Sequence, residues 1–408
     1  MLKPELLSPA GNMEKLEVAV AYGADAVYLG GERFGLRTAA ASFDGKNLKR
    51  AVSFAHRNGV KVYVTVNIFA HNRDIAELPA YLKQLREMGV DGIIVADPGV
   101  IQLASEVVPC LPVHVSTQAN TTNWLAARLW EQMGARRIVL ARELSLAEIK
   151  EIRNNAKLEL EVFVHGAMCI SYSGRCLLSN YMTGRDANMG DCAQACRWKY
   201  ALVEEKRPGE YFPIAEDERG AYILSSRDLC LLEHIPRLVE AGVNSFKIEG
   251  RVKSIHYVAT ITSVYRKAID AFMKDPRGYT VDPSWIQEIG KVSNREYITG
   301  FIDGPPGKDG FIPVKGIYSR PYTFVGVVTG YDAKNERLQV EQRNHFSRGE
   351  VLEVMPPGGE VFTYHVREMY DDEGRPVERA PHPRQTIYLP GMQALPPYTI
   401  LRRPEKAI

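Results

Sequence analysis

The sequence predicts an α/β fold: a TIM-like (βα)8 barrel with a cysteine-rich insertion after its seventh strand, followed by a small C-terminal all-β barrel. Three features of the chain predict it. Five segments within the first 275 residues share one unit, a helical pattern that ends in a turn glycine and leads into an apolar strand: AYGADAVYLGG, RNGVKVYVTVN, EMGVDGIIVAD, QMGARRIVLAR and EAGVNSFKIEG. Four cysteines, Cys169, Cys176, Cys192 and Cys196, crowd into one glycine- and arginine-rich stretch ahead of the last of these units. Beyond residue 321, short alternating strands and turn signals replace the helical periodicity.

The strands follow in order. PELLSPAG opens the chain, and Gly23, Gly59, Gly89 and Gly134 introduce the second, third, fourth and sixth strands. PVHVSTQA near residue 115 and LELEVFVHG near residue 162 supply the fifth and seventh without a glycine, and Gly242 introduces the eighth. Helical patterns separate most of them, among them NMEKLEVAVAY, DIAELPAYLKQLREM and SLAEIKEIR, the last opened by a Ser145–Glu148 capping box. Eight such units predict a closed barrel; an open doubly wound sheet is the rival that the same alternation allows. The domain boundaries read as 1–275 for the barrel, with its insertion at about 166–222, then 276–321 for a Pro/Gly-rich connector and 322–408 for the small β-barrel.

With 45% apolar and 25% charged residues, the 408-residue chain has material for a large core, and its net charge of +2 neither requires nor excludes a nucleic-acid partner. The opening MLKPELLSPAGN has no basic segment leading into an apolar run, and no stretch approaches the roughly 18 apolar residues of a membrane span. These features predict a cytoplasmic protein with no membrane partner. In that reducing compartment the six cysteines are better suited to metal binding or catalysis than to disulfides.

Active sites of such barrels sit at the C-terminal ends of the strands. Eight residues beyond each turn glycine stand Gly31, Asn67, Asp97, Arg142 and Gly250, the last flanked by Glu249 and Arg251. The strands without a glycine add Ser116, Gln118 and His165, and the loop after the second strand adds Arg37. Arg37, Arg142 and Arg251, with Asn67 and Gln118, form the predicted substrate-binding set, because guanidinium groups clamp carboxylates in bidentate geometry. His165, Glu249 and Asp97 are the candidate catalytic groups. The bland alternative makes Arg142 with Glu143, or Glu249 with Arg251, structural ion pairs at strand ends.

The cysteine spacing, C-x6-C, fifteen residues, then C-x3-C, lacks the C-x2-C knuckles of structural zinc, whereas thiolate-only ligation is the usual way to hold an iron–sulfur cluster. An alternative leaves Cys196 in the core and recruits Cys230, in SSRDLCLL, as the fourth ligand. Against it, Cys230 follows a predicted Ser225–Asp228 capping box and reads as a core-facing helical cysteine. Cys110, between Pro109 and Pro112, reads as buried. In the C-terminal strands, Arg343, His345 and Arg348 surround one turn and Arg402 and Arg403 lie near the end, a basic character that suits nucleic acid or an ordinary solvated surface.

PELLSPAGN with GADAVYLGG, VSTQAN, VLARELSL, EVFVHGAMCISYSGRCLLSNY, SFKIEGRVKS and SNREYITGF together carry a resemblance. From residue 5 to about 305 the chain resembles peptidase family U32, the collagenase-like peptidases of unassigned catalytic type, and the C-terminal strands resemble the accessory domain of its longer members. Within that family the CAQACRWKY ending and the two-domain plan are most similar to members that use prephenate to hydroxylate carbon five of the tRNA wobble uridine. The resemblance implies a 4Fe-4S cluster on Cys169, Cys176, Cys192 and Cys196, with Cys230 open as the alternative fourth ligand. It also implies prephenate, a dicarboxylate, as co-substrate for the arginine rim, tRNA as the macromolecular partner, and in some bacteria a shorter paralogue working beside the long form. The other activities it allows are peptide hydrolysis, as in the family name, and hydroxylation of another RNA or of a small molecule. For hydrolysis the sequence offers neither H-E-x-x-H nor G-x-S-x-G, and only His165 with Cys169 could be proposed as base and nucleophile.

Overall fold

The computed structural model describes residues 2–36, 42–168, 183, 193, 202–203, 211–212, 215–217, 220–222, 225–306, 311–312 and 319–405. Eight parallel strands form its centre: β1 (Glu5–Pro9), β2 (Ala26–Gly30), β3 (Lys61–Val66), β4 (Gly92–Val95), β5 (Val113–Val115), β6 (Arg137–Val139), β7 (Glu159–Ala167) and β8 (Ser245–Ile248). Ser245 of β8 stands opposite Glu5 of β1 on one side and Glu161 of β7 on the other, so the sheet closes on itself. A doubly wound sheet has two free edges; this one is a barrel, and all eight expected strands are in it.

Helices α1 (Met13–Ala21), α2 (Gly45–Arg57), α3 (Leu78–Glu87), α4 (Pro98–Val107), α5 (Trp124–Gln132), α6 (Leu146–Asn155), α7 (Ile235–Glu240) and α8 (Ile255–Lys274) follow the strands in turn. Short polar side chains begin them where orphan backbone N–H groups need acceptors: Asn12, Asp44, Asp97, Asn123 and Ser145 each accept from the N–H three residues on. The expected Ser145–Glu148 capping box is formed. Gly59 (φ +71°) and Gly134 (φ +86°) end their helices in the left-handed region that only glycine enters at little cost, which is why the glycine recurs ahead of five of the eight strands.

Two apolar layers result. The larger lies between the strands and the helices; a smaller one, Leu7, Ala26, Tyr28, Tyr63 and Ile94, fills the barrel axis. Below it the axis is charged. Arg137 donates to Glu5 (2.6 Å), Glu159 (2.8 Å) and Glu161 (3.0 Å), and Lys247 donates to the second oxygen of Glu161 at 2.8 Å.

The chain leaves β7 at Ala167 and comes back as a short strand, Asp228–Cys230, antiparallel to β7. The predicted helix start at Ser225–Asp228 is therefore a correction: Ser225–Ser226 and Asp228–Cys230 are strands, and the Asp228 carboxylate binds Arg295 instead of capping a helix. Cys110 is exposed, not buried, because its short loop lies at the foot of β5. The stretch 276–321 contains helix α9 (Pro283–Gly290) and a strand, Tyr297–Ile298, that pairs with Asp228–Cys230. Both contacts are long-range, which local periodicity does not register.

The C-terminal unit is a curled antiparallel sheet built from β9 (Tyr322–Asp332), β10 (Arg337–Gln342), β11 (Val351–Met355), β12 (Phe362–His365), β13 (Thr386–Pro390) and β14 (Ile400–Pro404), in the order β12-β11-β14-β9-β10-β13. Its two edges approach where the Tyr364 hydroxyl donates to the Pro390 carbonyl at 2.7 Å. The sheet is docked on the barrel. Val327, Met355 and Ile400 join the barrel's apolar core, and the Tyr22 hydroxyl of α1 reaches the Met355 carbonyl at 2.6 Å.

Candidate active site at the barrel mouth

At the C-terminal ends of the strands a polar pocket opens over the axis. Period-two alternation builds it: Tyr28, Thr65, Ile94, Val139, Phe163 and Lys247 face inward at the level where the strands end, and the residues just beyond them form the wall. Asn67, Gln118, Arg142, Glu249 and Arg251, all expected at the rim, line it together with Ser116. The spacing from the turn glycines therefore carries over to space.

Each wall residue is held. The Asn67 amide accepts from the Leu36 N–H at 3.1 Å and donates to Ser116 Oγ at 3.4 Å. Ser116 Oγ in turn accepts from the Gln118 N–H at 3.2 Å, which begins a single 3-10 turn; Gln118 Oε1 is buried with no hydrogen-bond partner among the described residues. Arg251, 4% exposed, donates to Thr65 Oγ1 at 3.1 Å and to the Leu36 carbonyl. Arg142 lies 3.9 Å over the Phe163 ring, donates to the Ala167 carbonyl at 2.6 Å and stands 3.7 Å from a Glu249 oxygen. The pairing is thus across strands, Arg142 with Glu249.

Among the described residues, three cations, Arg142, Arg251 and Lys247, face one carboxylate, Glu249. Such a mouth attracts a small anion and presents planar forks to its carboxylates. Lys247 was missed by the rim count, although it sits two residues before Glu249 on the same strand and period two puts both inward. Burial lowers its pKa, and Glu161 opposes that shift. Glu161 itself is held down to about 2: burial would raise it, but Lys247 and Arg137 win.

Three expected positions are elsewhere. His165 belongs to the outer side of β7. Lys247 pairs with Phe163 and the next residue, Ile248, with His165, so β7 carries one extra residue there and the inward count slips by one. The imidazole packs against Tyr297 (ring centres 5.1 Å) and Tyr265 (5.6 Å), and burial pushes its pKa down to about 3. It does not face the mouth, and neither catalytic acid–base work there nor the base role of a peptidase fits that position. Asp97 is the N-cap of α4, its carboxylate accepting from the Val100 N–H at 3.1 Å. Gly31 lines a separate cavity beside Tyr81.

Arg37 and the four clustered cysteines, Cys169, Cys176, Cys192 and Cys196, lie outside the described residues. The described flanks do show where that segment departs and returns. Ala167, whose carbonyl holds Arg142, pairs with Asp228, so both ends stand side by side at the mouth. Cys230 is opposite His165 and shares its outward side. Its sulfur is 3.8 Å from the Tyr265 hydroxyl, and burial raises its thiol pKa. Among the described residues no group of three or more His, Cys, Asp and Glu could hold a metal ion.

The basic loops of the C-terminal sheet are also spoken for. Arg343 pairs with Glu14 and Glu341, Arg348 with Glu378, and Arg403 with Glu350. Arg402 is fully buried between Glu353 and Glu288. Arg343 and Arg402 thereby tie the sheet to α1 and α9, while the Arg348 pair stays at the exposed surface.

Fold and mouth together define a (βα)8-barrel protein with an anion-attracting site and an appended curled sheet. The chain belongs to peptidase family U32, whose profile it matches over residues 11–311, with the family's C-terminal domain matched over residues 320–402. It is 44% identical over 401 residues to the Bacillus subtilis protein named tRNA hydroxylation protein P1, covering 98% of this chain and 95% of that one. It is 40% identical over 436 residues to tRNA hydroxylation protein P of Escherichia coli, covering 97% and 95%. A 23S rRNA 5-hydroxycytidine synthase of Escherichia coli is 39% identical over 360 residues, covering 86% of this chain and 52% of that protein. Among the described residues, no helix is long and apolar enough to cross a membrane.

Proposed function

We propose that this chain is an RNA hydroxylase acting on tRNA, at carbon five of the wobble uridine, with prephenate as the small acid bound at the barrel mouth. The observation that carries the reading is the 44% identity, over nearly the full length of both chains, to a protein named for tRNA hydroxylation. The cationic mouth supports it: Arg142 and Arg251 suit the two carboxylates of a dicarboxylic acid, and Glu249 stands beside them. A 4Fe-4S cluster on Cys169, Cys176, Cys192 and Cys196 would supply one-electron chemistry. The outward-facing, protonated Cys230 thiol supports Cys196 as the fourth ligand. Such work places the protein in the cytoplasm.

Nucleoside mass spectrometry of tRNA and ribosomal RNA, with and without the gene, tests the assignment. Loss of the 5-hydroxyuridine-derived nucleosides from tRNA alone is expected. Loss from ribosomal RNA alone would move the substrate to that RNA, and unchanged RNA together with gelatin cleavage by the pure protein would restore the peptidase reading.

A further inference from the structure

We infer that Lys247 is the group that seats an oxygen of the small acid at the floor of the mouth, with Glu161 as the residue that positions it. This rests on the reading that the mouth binds such an acid. An ammonium group has three N–H donors. One goes to Glu161 at 2.8 Å, and among the described residues no acceptor is recorded for the other two. The group is 4% exposed, lines the pocket, and lies 4.4 Å from the centre of the Tyr28 ring and 5.5 Å from that of Phe163. Two aromatic faces thus flank the nitrogen, and its remaining donors have the pocket as their outlet.

The other two mouth cations are committed differently. Arg142 spends a donor on the Ala167 carbonyl at the end of β7, and Arg251 on the Leu36 carbonyl beyond β2, so each also braces a segment other than the one it stands on. Lys247 braces no loop. Its carboxylate partner is locked from beneath: Glu161 is fully buried and its second oxygen is held by Arg137, itself fixed by Glu5 and Glu159. A charge anchored this firmly loses little freedom when a ligand oxygen arrives, which favours affinity. The groups that set the protonation of Lys247 are Glu161 on β7 and Glu249 on its own strand, which favour the cation, and Arg137 on β6, which opposes it together with burial. Tyr28 and Phe163 contribute ring faces.

The full-length protein is titrated calorimetrically with prephenate, and with malonate as a plain dicarboxylate, from neutral to alkaline pH. Lys247→Met, close in volume, leaves Glu161 with Arg137 as its remaining cation among the described residues, so it is expected to melt lower than the wild type while staying folded, and to bind prephenate about thirtyfold more weakly, the scale of one charge-assisted hydrogen bond. Glu161→Gln is the second variant. Without the Glu161 carboxylate, Glu249 is left to favour the cation against burial and Arg137, so affinity must begin to fall at a lower pH than in the wild type; a merely structural role would leave that profile unmoved. A folded Lys247→Met that binds both acids within about twofold of wild type overturns the inference, as does an unmoved profile in Glu161→Gln, or a wild-type protein that binds neither acid. Should the RNA profile be unaffected by gene loss while Lys247→Met still abolishes acid binding, the proposed function falls and this assignment stands.

Discussion

Asp228 and Arg295 form an ion pair sealed from solvent: Arg295 Nε and a terminal nitrogen donate to one Asp228 oxygen at 2.9 and 2.7 Å, and the Arg295 backbone N–H donates to the other at 3.1 Å. Both residues are about 2% exposed. The pair joins the strand that returns from the cysteine-rich segment to the strand Tyr297–Ile298, and so clasps the outer edge of β7. Asp228→Asn removes the carboxylate that faces the buried Arg295 guanidinium. The expected loss is about 3–5 kcal/mol of folding stability, measured by urea unfolding; a change under about 1 kcal/mol would show that the pair is not the clasp.

Arg402 performs the corresponding task between the two units. It is donated by β14 of the curled sheet and reaches Glu353 at 2.8 Å and Glu288 of α9 at 2.6 Å, with no exposure of its own side chain. Arg402→Met removes the cation from between two carboxylates, of which Lys291 still compensates both, at 2.9 and 3.1 Å. A loss of about 3 kcal/mol is expected, with earlier undocking of the sheet seen as faster limited proteolysis within 291–321. Unchanged cleavage would place the docking energy in the apolar contacts of Met355 and Ile400 instead.

Acid sensitivity follows from three buried histidines. Burial pushes His114, His165 and His256 down to about 3, while an unfolded histidine titrates near 6.5. The unfolded chain therefore takes up protons first, and stability that is complete above about pH 6.5 declines as pH falls towards 3, by about 1.4 kcal/mol per unit for each histidine. Glu161 adds nothing in that upper range, since a carboxylate held at about 2 loses its contribution only below the ordinary carboxylate value. Urea unfolding between about pH 7.5 and 5.5 should show the onset of the decline, and His256→Gln should lessen it by about 1.4 kcal/mol over that whole interval. Equal declines would mean that His256 takes up its proton at the same pH in the folded and the unfolded chain.

Cluster ligation separates the two candidate fourth cysteines. Protein purified without oxygen is expected to carry iron and acid-labile sulfide, to keep both in Cys230→Ser and to lose them in Cys196→Ser. The reverse pattern would require the Cys230 thiol to leave Tyr265, and a colourless wild-type protein holding one zinc would remove the cluster altogether.

Much of this was legible before any coordinates. The turn glycines announce five of the strands because the helices before them end in a left-handed residue as the chain turns inward, and eight residues further on the strand has run its length; α4 and α6 end at Val108 (φ −138°) and Ala156 (φ −134°) and carry no such signal. That is local chemistry, and it delivered Asn67 and Arg142 to the mouth. The same count failed at Asp97, where the backbone N–H groups at the start of α4 had first claim on a carboxylate at their N-cap. Arg402 was unreadable for another reason: an arginine near the end of the chain looks like solvated surface until Glu288, 114 residues away, is folded against it.

By itself, then, the sequence determined the eight strand–helix units, the family and the polar residues just past the strand ends, because periodicity and turn chemistry act between near neighbours. Only the tertiary structure decided which way His165 points and what stands beneath the pocket. One extra residue in β7 turns the imidazole outward, and Lys247 meets Glu161 across 86 residues of chain only because β8 closes the barrel against β7. Those outcomes depend on the register between distant strands, which no local pattern carries.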